Sequence, residues 1–385
     1  MEETMGSCKL CGRASPVISS VIGVCAECLR SRGGEALSIA REAHAKYRAG
    51  LGLPVTPPRA EEGVRCSICV NNCVIPESGK GFCGIWVSEK GLLKTVAGVD
   101  ASIGYYYFDP LPTNCVATPV CPAATGKGYP KYAVNPRVEH GFYNLAVFFA
   151  GCSLDCLFCQ NWEHKDMVAE PESRKRPVFN VDELLRAGLN SKVTCVCFFG
   201  GDPGPHVVFA LKFSRQLLKE ARERSFVKRI CWETNGLVHP SLFKEMVKLS
   251  LESGGIVKVD WKAWNPWIYE ALTGVDGVKA LEYLKTNVKT ALEVWNERRE
   301  IPILVVSMLL VPGYVDEVEV ANVAEYVSSL NPETPLILLA FHPNHLLRDL
   351  PPTSTRHAMK AYEEAVNKGL KNVYVGNEWL LGNYY

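Results

Sequence analysis

Six short apolar runs, separated by segments of helical character, recur through the last two thirds of the chain. The runs cover residues 143–150, 194–199, 226–232, 256–261, 303–310 and 336–341. Unbroken apolar runs of this length are typical of buried parallel strands. Segments 205–224 and 240–252 are examples of the intervening predicted helices. Six strand–helix units predict an α/β fold with right-handed crossovers, and residues 372–376 add one further candidate strand.

Polar motifs follow these predicted strands at their carboxyl ends. They are Gly200-Gly201-Asp202-Pro203, Glu233-Thr234-Asn235-Gly236 and Val311-Pro312-Gly313-Tyr314, after the second, third and fifth strands. The fourth strand alternates Lys258, Asp260 and Lys262, which a period of two places on one face. Charges on a central strand face the lumen of a barrel or are paired, because burial of an unpaired charge is costly. Loops at this end carry the active sites of α/β barrels.

Three cysteines, Cys152, Cys156 and Cys159, follow the first strand with the spacing C-x3-C-x2-C. Three thiolates are one fewer than a closed tetrahedral site needs. The trio therefore suggests a [4Fe–4S] cluster with one iron open to a small molecule. A zinc knuckle that borrows a distant ligand, or reduced structural cysteines, is the alternative.

Two further cysteine sets precede the strands. Two C-x2-C pairs, Cys8/Cys11 and Cys25/Cys28, are typical of a structural zinc ribbon, with mononuclear iron as the competitor. The second set is Cys66, Cys69, Cys73 and Cys83, and its intervening glycines allow the backbone to wrap closely around a metal. Zinc and an auxiliary iron–sulfur cluster fit this second set almost equally.

The remaining five cysteines have no such spacing. Cys115 and Cys121 are open to three interpretations: ligands of an auxiliary cluster, residues near the active site, or two buried thiols. Cys195, Cys197 and Cys231 lie within predicted strands, where free cysteine behaves as a small hydrophobe, so core packing is expected.

Composition narrows the class of protein. Of 385 residues, 47% are hydrophobic, and 42 lysines and arginines nearly balance 41 acids for a net charge of +1. This balance predicts no attraction to nucleic acid or anionic lipid. The 16 cysteines, many in C-x2-C pairs, together with the absence of a charged start followed by an apolar core, indicate reduced or metal-bound thiols in a cytoplasmic protein. No apolar run approaches the ~20 residues of a membrane span.

We expect four regions along the chain. Residues 1–34 form a zinc-ribbon-like module, and residues 35–62 form an alanine-rich helix at 35–49 followed by a proline-rich linker. Residues 63–142 form a cysteine-rich extension in which a hairpin turns at 89–91, and residues 143–385 form the strand–helix domain.

The trio and its surroundings resemble the radical S-adenosylmethionine (SAM) superfamily. Cys152, Cys156, Phe158 and Cys159 match that superfamily's C-x3-C-x-aromatic-C signature. The chain resembles the branch of pyruvate formate-lyase activating enzyme. It resembles still more the AmmeMemoRadiSam-type proteins, through Cys-Leu-Phe-Cys-Gln-Asn-Trp-Glu at 156–163 and Leu-Ala-Phe-His-Pro at 339–343. The resemblance implies a partial (β/α)6 TIM-like barrel preceded by a cysteine-rich metal-binding region.

The resemblance also implies roles for the loop motifs. Gly200, Gly201 and Asp202 match a Gly-Gly-Glu-Pro motif whose backbone binds the amino group of SAM, with aspartate replacing glutamate. Glu233, Thr234 and Asn235 match an Asp-Thr-Asn-Gly motif that helps to bind SAM and a nearby cation. Asp260 and Lys262 match a pair whose lysine contacts the SAM carboxylate; a structural ion pair is the alternative. Val311 and Pro312 match a turn near the adenosine.

The implied activity is reductive cleavage of SAM at a [4Fe–4S] cluster to a 5′-deoxyadenosyl radical that abstracts hydrogen from a substrate. A reductant such as flavodoxin or ferredoxin would supply the electron. The substrate is either a partner protein that the enzyme activates, or a small molecule, RNA or peptide. A non-catalytic metal-dependent binding or sensor protein is the alternative from a different class.

Overall fold

The computed structural model describes residues 5–113, 115–169 and 177–385. The strands are β1 (Gly6–Ser7), β2 (Ala14–Ser15), β3 (Val64–Arg65), β4 (Val74–Ile75), β5 (Trp86–Glu89), β6 (Leu92–Thr95), β7 (Ala101–Pro110), β8 (Tyr143–Phe149), β9 (Val178–Asn180), β10 (Val193–Gly200), β11 (Arg229–Thr234), β12 (Val257–Asp260), β13 (Leu304–Leu310), β14 (Leu336–Ala340) and β15 (Val373–Gly376). The α-helices are α1 (Ala26–Gly50), α2 (Pro122–Thr125), α3 (Glu163–Asp166), α4 (Val181–Gly188), α5 (Val207–Glu223), α6 (Pro240–Ser253), α7 (Pro266–Thr273), α8 (Gly277–Glu293), α9 (Glu317–Leu330) and α10 (Thr355–Asn367). Short 3-10 helices cover Gly204–His206, Trp295–Glu297 and Glu378–Leu380.

A nine-stranded sheet organises the described residues, in the order β15-β14-β13-β12-β11-β10-β8-β7-β9. The seven strands from β15 to β8 are parallel, with helical crossovers between most of them. This arrangement confirms the predicted α/β class, and each predicted strand lies within a few residues of an observed one. Apolar periodicity is a local property, so it located these strands well.

Two antiparallel strands at the edge of the sheet were not predicted. The hairpin of β5 and β6 occurs where expected, but the aromatic segment after it continues as β7, which pairs with β8 and β9. Tyr105 of β7 stacks on Phe148 of β8 with ring centroids 4.7 Å apart. The edge pairing satisfies backbone groups that β8 would otherwise expose, and no local pattern indicates it.

The first long helix begins earlier than the predicted 35–49. It starts at Ala26, between the cysteines of the second C-x2-C pair, and continues through a kink at Gly33 to Gly50. The backbone at Gly33 has a φ of +38°, and a Cβ there would lie 3.0 Å from the ring of Trp267. The kink therefore lets α1 pack closely on α7.

None of the helices in the described ranges combines the length and the apolarity that a bilayer crossing demands.

Candidate active site

A cavity of about 200 Å³ opens at the carboxyl ends of the parallel strands. Twelve of the predicted site residues line it: Cys152, Cys156, Phe158, Cys159, Gly200, Gly201, Asp202, Glu233, Thr234, Asn235, Asp260 and Lys262. They come from the loops after β8, β10 and β11 and from the end of β12. Parallel strands place the loops that follow them at one end of a sheet, which explains the convergence.

Cys152, Cys156 and Cys159 present their thiols to this cavity from a single loop. Burial raises the pKa of all three, to about 12 for Cys156, although Lys262 lowers the value for that residue. Thiolates at these positions therefore call for a bound cation, since coordination deprotonates a thiol outright. Within the described chain, the three sulfurs are not gathered within 4.8 Å of one another. Such spacing fits a multinuclear cluster, in which each thiolate binds a different iron.

The glycine motif after β10 permits a close approach between two loops. Gly200 has a φ of +111°, and a Cβ on Gly201 would lie 2.1 Å from the carbonyl oxygen of Gly151. Asn161 Nδ2 donates a hydrogen bond to the Gly200 carbonyl at 3.1 Å. Any side chain at Gly201 would displace the loop that carries the cysteine trio.

Asp202 holds the second and third loops together. Its carboxylate accepts hydrogen bonds from Gly204 N at 2.7 Å, from Thr234 Oγ1 at 2.9 Å and from Asn235 N at 2.8 Å. Burial raises the pKa of Asp202 to about 6, against the effect of these donors. Asn235 in turn donates to Cys152 Sγ at 3.4 Å. The Asp202 carboxylate thus fixes the backbone of Asn235, whose side-chain amide contacts Cys152.

Two ion pairs from β11 and β12 line the cavity. Lys262 pairs with Asp260, and Lys258 Nζ donates to Glu233 Oε1 at 2.8 Å. The expectation that these charges face the lumen or are paired is confirmed on both counts. In the described chain, Asp260 Oδ1 is buried without a hydrogen-bond partner. An acceptor without a donor beside the cavity fits a site for a ligand that donates hydrogen bonds.

The structure does not bring Val311 and Pro312 to this cavity. Both are buried, and the turn that follows them packs against the amino-terminal module instead. A Cβ on Gly313 would lie 2.0 Å from the carbonyl oxygen of Val17. Tyr314 Oη donates to the Val24 carbonyl at 2.9 Å. The motif therefore serves as a docking point for the first cysteine module, a contact that no local pattern indicates.

His164 lines the cavity, although sequence reasoning did not select it. It is buried, and among the described residues its Nδ1 has no hydrogen-bond partner. Burial lowers the pKa of its imidazole to about 3, so the ring is neutral at physiological pH. The only sequence signal was its position five residues after Cys159, within the loop that carries the trio. A neutral imidazole here can accept or donate one hydrogen bond to a bound molecule.

A network of buried charged groups surrounds Asp155 in the loop that carries the trio. Asp155, between the first two cysteines, accepts a hydrogen bond from Lys165 Nζ at 2.8 Å and lies 2.9 Å from His44 Nδ1. Arg48 Nη1 lies 3.6 Å from the same carboxylate. Burial alone would raise the pKa of Asp155. His44, Lys165 and Arg48 outweigh that effect and hold the pKa well below its usual range. Helix α1 is thereby tied to the trio's loop.

The first amino-terminal cysteine set is compact. The sulfurs of Cys8, Cys11, Cys25 and Cys28 all lie within 4.8 Å of one another. Cys8 Sγ is 3.7 Å from Cys28 Sγ, and Cys11 Sγ is 3.8 Å from Cys25 Sγ. Metal–sulfur bonds of about 2.3 Å in a tetrahedron place the sulfurs ~3.8 Å apart. The four side chains are therefore arranged for one tetrahedral ion.

The second set is more widely spaced. No three sulfurs of Cys66, Cys69, Cys73 and Cys83 meet within 4.8 Å in the described ranges. Burial raises the pKa of each of these thiols. The segment packs on the trio's loop, where Asn71 Nδ2 donates to the Ser153 carbonyl at 2.7 Å. The second set thus lies beside the candidate active site.

Comparison with known proteins places this geometry in context. Residues 146–327 match the model of the Radical SAM superfamily. An uncharacterised protein of Methanocaldococcus jannaschii is 27% identical over 319 residues, which cover 82% of this chain and 81% of that protein. Pyruvate formate-lyase 1-activating enzyme of Escherichia coli is 24% identical over 197 residues, or 51% of this chain and 73% of that enzyme.

A solved structure, native anSMEcpe with bound AdoMet, aligns with a TM-score of 0.38 and 14% identity. That alignment covers 58% of this chain and 61% of the solved one. The superfamily match begins within β8, ends within α9, and includes the cysteine trio and all four motifs at the carboxyl ends of β10 to β13. The chain therefore carries a Radical SAM superfamily domain over residues 146–327, homologous to that of pyruvate formate-lyase 1-activating enzyme.

Proposed function

We propose that Cys152, Cys156 and Cys159 hold a [4Fe–4S] cluster and that SAM binds in the adjoining cavity. When bound, the cluster supplies one-electron reductive cleavage of SAM to methionine and a 5′-deoxyadenosyl radical, which takes a hydrogen atom from the substrate. The observation that carries this proposal is the convergence of the trio with the loop motifs on one cavity within the matched domain.

The chain's own residues bind and orient the cofactors in this proposal. The backbone at Gly200 and Gly201 lies against the trio's loop, where its carbonyl oxygens can accept hydrogen bonds from the amino group of SAM. Lys262 lies 5.5 Å from the centre of the Phe158 ring and supplies a cation for the SAM carboxylate. Asp260 Oδ1 supplies the buried acceptor. Leu154, Phe158 and Leu309 add apolar surface beside these polar groups.

The two amino-terminal sets receive different metals in this proposal. The tetrahedral spacing of the first set supports one zinc ion, which would stabilise a module with little core of its own. The wider spacing of the second set supports an auxiliary iron–sulfur cluster. An external reductant such as flavodoxin or ferredoxin would deliver the electron.

We further propose that the substrate is a partner protein that this enzyme activates. The support is the homology to an activating enzyme. Modification of a small molecule is the second candidate, and one observation favours it. The ion pair of buried Lys258 and partly exposed Glu233 lines the cavity, where its charges could anchor a polar substrate of limited size.

The test is production of 5′-deoxyadenosine by protein that is purified without oxygen, reconstituted with iron and sulfide, and reduced. Wild type should release the nucleoside, and Cys156→Ala should not, while Arg41→Met at an exposed position of α1 should retain the activity. Paramagnetic resonance of the reduced cluster should change when SAM is added. Loaded, reduced wild-type protein that shows neither nucleoside nor a spectral change would contradict the proposal.

A further inference from the structure

Five buried or partly buried thiols converge on a second cavity inside the barrel. This thiol cavity has a volume of about 110 Å³ and is lined by Cys115, Cys121, Cys195, Cys197 and Cys231. It adjoins the candidate active site, since Phe199, Glu233 and Lys258 line both cavities. None of the five belongs to the motif of the trio or to the two amino-terminal sets.

Strand register explains why three of these thiols meet. Cys195 and Cys197 alternate on β10 and so face the same side. Cys197 is in register with Cys231 on the neighbouring strand β11. The burial of these residues agrees with the expectation of core packing, but their sulfurs border a cavity whose lining includes charged and polar groups. The prediction of inert apolar packing is therefore incomplete.

The other two thiols come from the segment that precedes β8. Cys115 Sγ lies 3.2 Å from Lys258 Nζ, and the same ammonium group donates to Cys197 Sγ at 3.0 Å. Burial raises the pKa of Cys121, and the neighbouring Cys231 raises it further, against the effect of Arg229. Elements far apart in the sequence thus bring their sulfurs to one place.

Lys258 gives the cavity a fixed positive charge. Its ammonium group is buried and lies within hydrogen-bond distance of Cys115 Sγ, Cys197 Sγ and Glu233 Oε1. The Glu233 carboxylate forms an ion pair with the Lys258 ammonium group at 2.8 Å. A cation at hydrogen-bond distance from two sulfurs would stabilise them as thiolates. Cys195 is engaged differently, because its thiol donates to Asn144 Oδ1 at 3.3 Å.

The spacing of the sulfurs indicates the kind of ligand. In the first amino-terminal set, four sulfurs lie close enough to surround one tetrahedral ion. In the thiol cavity, as in the trio, no three described sulfurs meet within 4.8 Å. Thiolates select soft metals and iron–sulfur clusters, and the wider spacing favours a multinuclear centre over a single ion.

We propose that the thiol cavity binds an iron–sulfur cluster through Cys115, Cys121, Cys197 and Cys231, with Lys258 balancing part of its negative charge. The cluster is distinct from that of the trio and lies deeper in the lumen. Its position beside Glu233 places it next to the space where SAM and substrate would meet.

The first experiment counts iron and sulfide in the anaerobically reconstituted full chain. The double variant Cys197→Ser/Cys231→Ser should lose about two to four irons and as many sulfides relative to wild type. Its spectral response to SAM should remain, because the trio is intact. Val196→Ala, a buried substitution on the opposite face of β10, is the matched control and should keep the wild-type count. Equal iron in the double variant and wild type would overturn the proposal.

The second experiment does not depend on whether a variant folds. Crystals of wild-type holoprotein, grown without oxygen, should show an anomalous scattering peak at the iron absorption edge between Cys197 and Cys231. A peak at the trio with none in the thiol cavity would overturn the proposal while leaving the proposed function standing. A trio without iron would instead count against the proposed function.

Discussion

Removing the charge of Asp155 should destabilise the fold more than any surface ion pair does. This carboxylate is fully buried between two cysteines of the trio and faces Lys165, His44 and Arg48. Asp155→Asn keeps the shape of the side chain and one acceptor oxygen, but it removes the negative charge. Lys165 and Arg48, whose side chains are each 3% exposed, would then remain buried without that partner.

The cost follows from the burial of these groups. Breaking a buried pair by removing one partner typically costs about 3–5 kcal/mol, because an uncompensated charge remains. Lys165 keeps a hydrogen bond to the Cys156 carbonyl at 3.2 Å, and asparagine keeps one acceptor. We therefore expect Asp155→Asn to lower the free energy of unfolding by about 3 kcal/mol, the lower end of that range. Because domains typically have a free energy of unfolding of about 5–15 kcal/mol, the variant should still fold.

The assay is equilibrium urea unfolding of cluster-free protein, followed by tryptophan fluorescence. The matched control is Arg41→Met, which breaks a pair between α1 and Glu270 in which Arg41 is 59% exposed. Arg41→Met should lower the free energy of unfolding by less than about 1 kcal/mol. A double-mutant cycle with Lys165→Met should give a coupling energy of about 1–3 kcal/mol. If Asp155→Asn costs no more than the control, the argument from buried charge is wrong.

Three further predictions concern other parts of the molecule. Cys11→Ser should abolish stoichiometric zinc, measured by plasma mass spectrometry, and should make the first module sensitive to proteolysis; retained zinc would refute the tetrahedral assignment. Lys262→Met should weaken SAM binding about tenfold or more with unchanged iron content, since a bond to a charged group is worth about 1.5–3 kcal/mol, while Lys285→Met should leave affinity unchanged. His206 is buried between Ser102 Oγ at 2.7 Å and the Ala150 carbonyl at 2.8 Å, and burial lowers its pKa to about 4. Because the unfolded imidazole titrates near pH 6.5, the stability linked to His206 is full above that pH and is lost as pH falls toward 4, by about 2 kcal/mol between pH 7 and 5. His206→Gln should remove that part of the pH dependence in urea titrations; an unchanged dependence would contradict it.

Features that depend on neighbours in sequence were predictable. The parallel strands follow from apolar runs, and the helix at Pro240–Ser253 follows from a proline at its first turn. The trio and the motifs after β10 and β11 were located because each stands within a few residues of a strand end. Parallel strands bring such ends together whatever the details of packing, so the candidate active site could be assembled from the sequence.

Other features depend on which elements meet, and the sequence does not specify that locally. Val311 and Pro312 have the right motif but turn toward the first cysteine module, because Tyr314 bonds to its backbone. His44 lies on α1, far from Asp155 in sequence, yet the fold brings His44 Nδ1 within 2.9 Å of the Asp155 carboxylate. Each outcome depends on a contact between residues more than a hundred positions apart.

The chain by itself thus determined the strands, the trio and the loop motifs, because periodicity and spacing are local. Only the tertiary structure decided that Cys115 and Cys121 join Cys197 and Cys231 around Lys258. Strand register sets which side chains share a layer of the barrel, and the preceding segment must fold back to supply the rest. Register and fold-back depend on the packing of the whole domain. A set of thiols drawn from two strands and the segment before β8 therefore has no signature in the sequence.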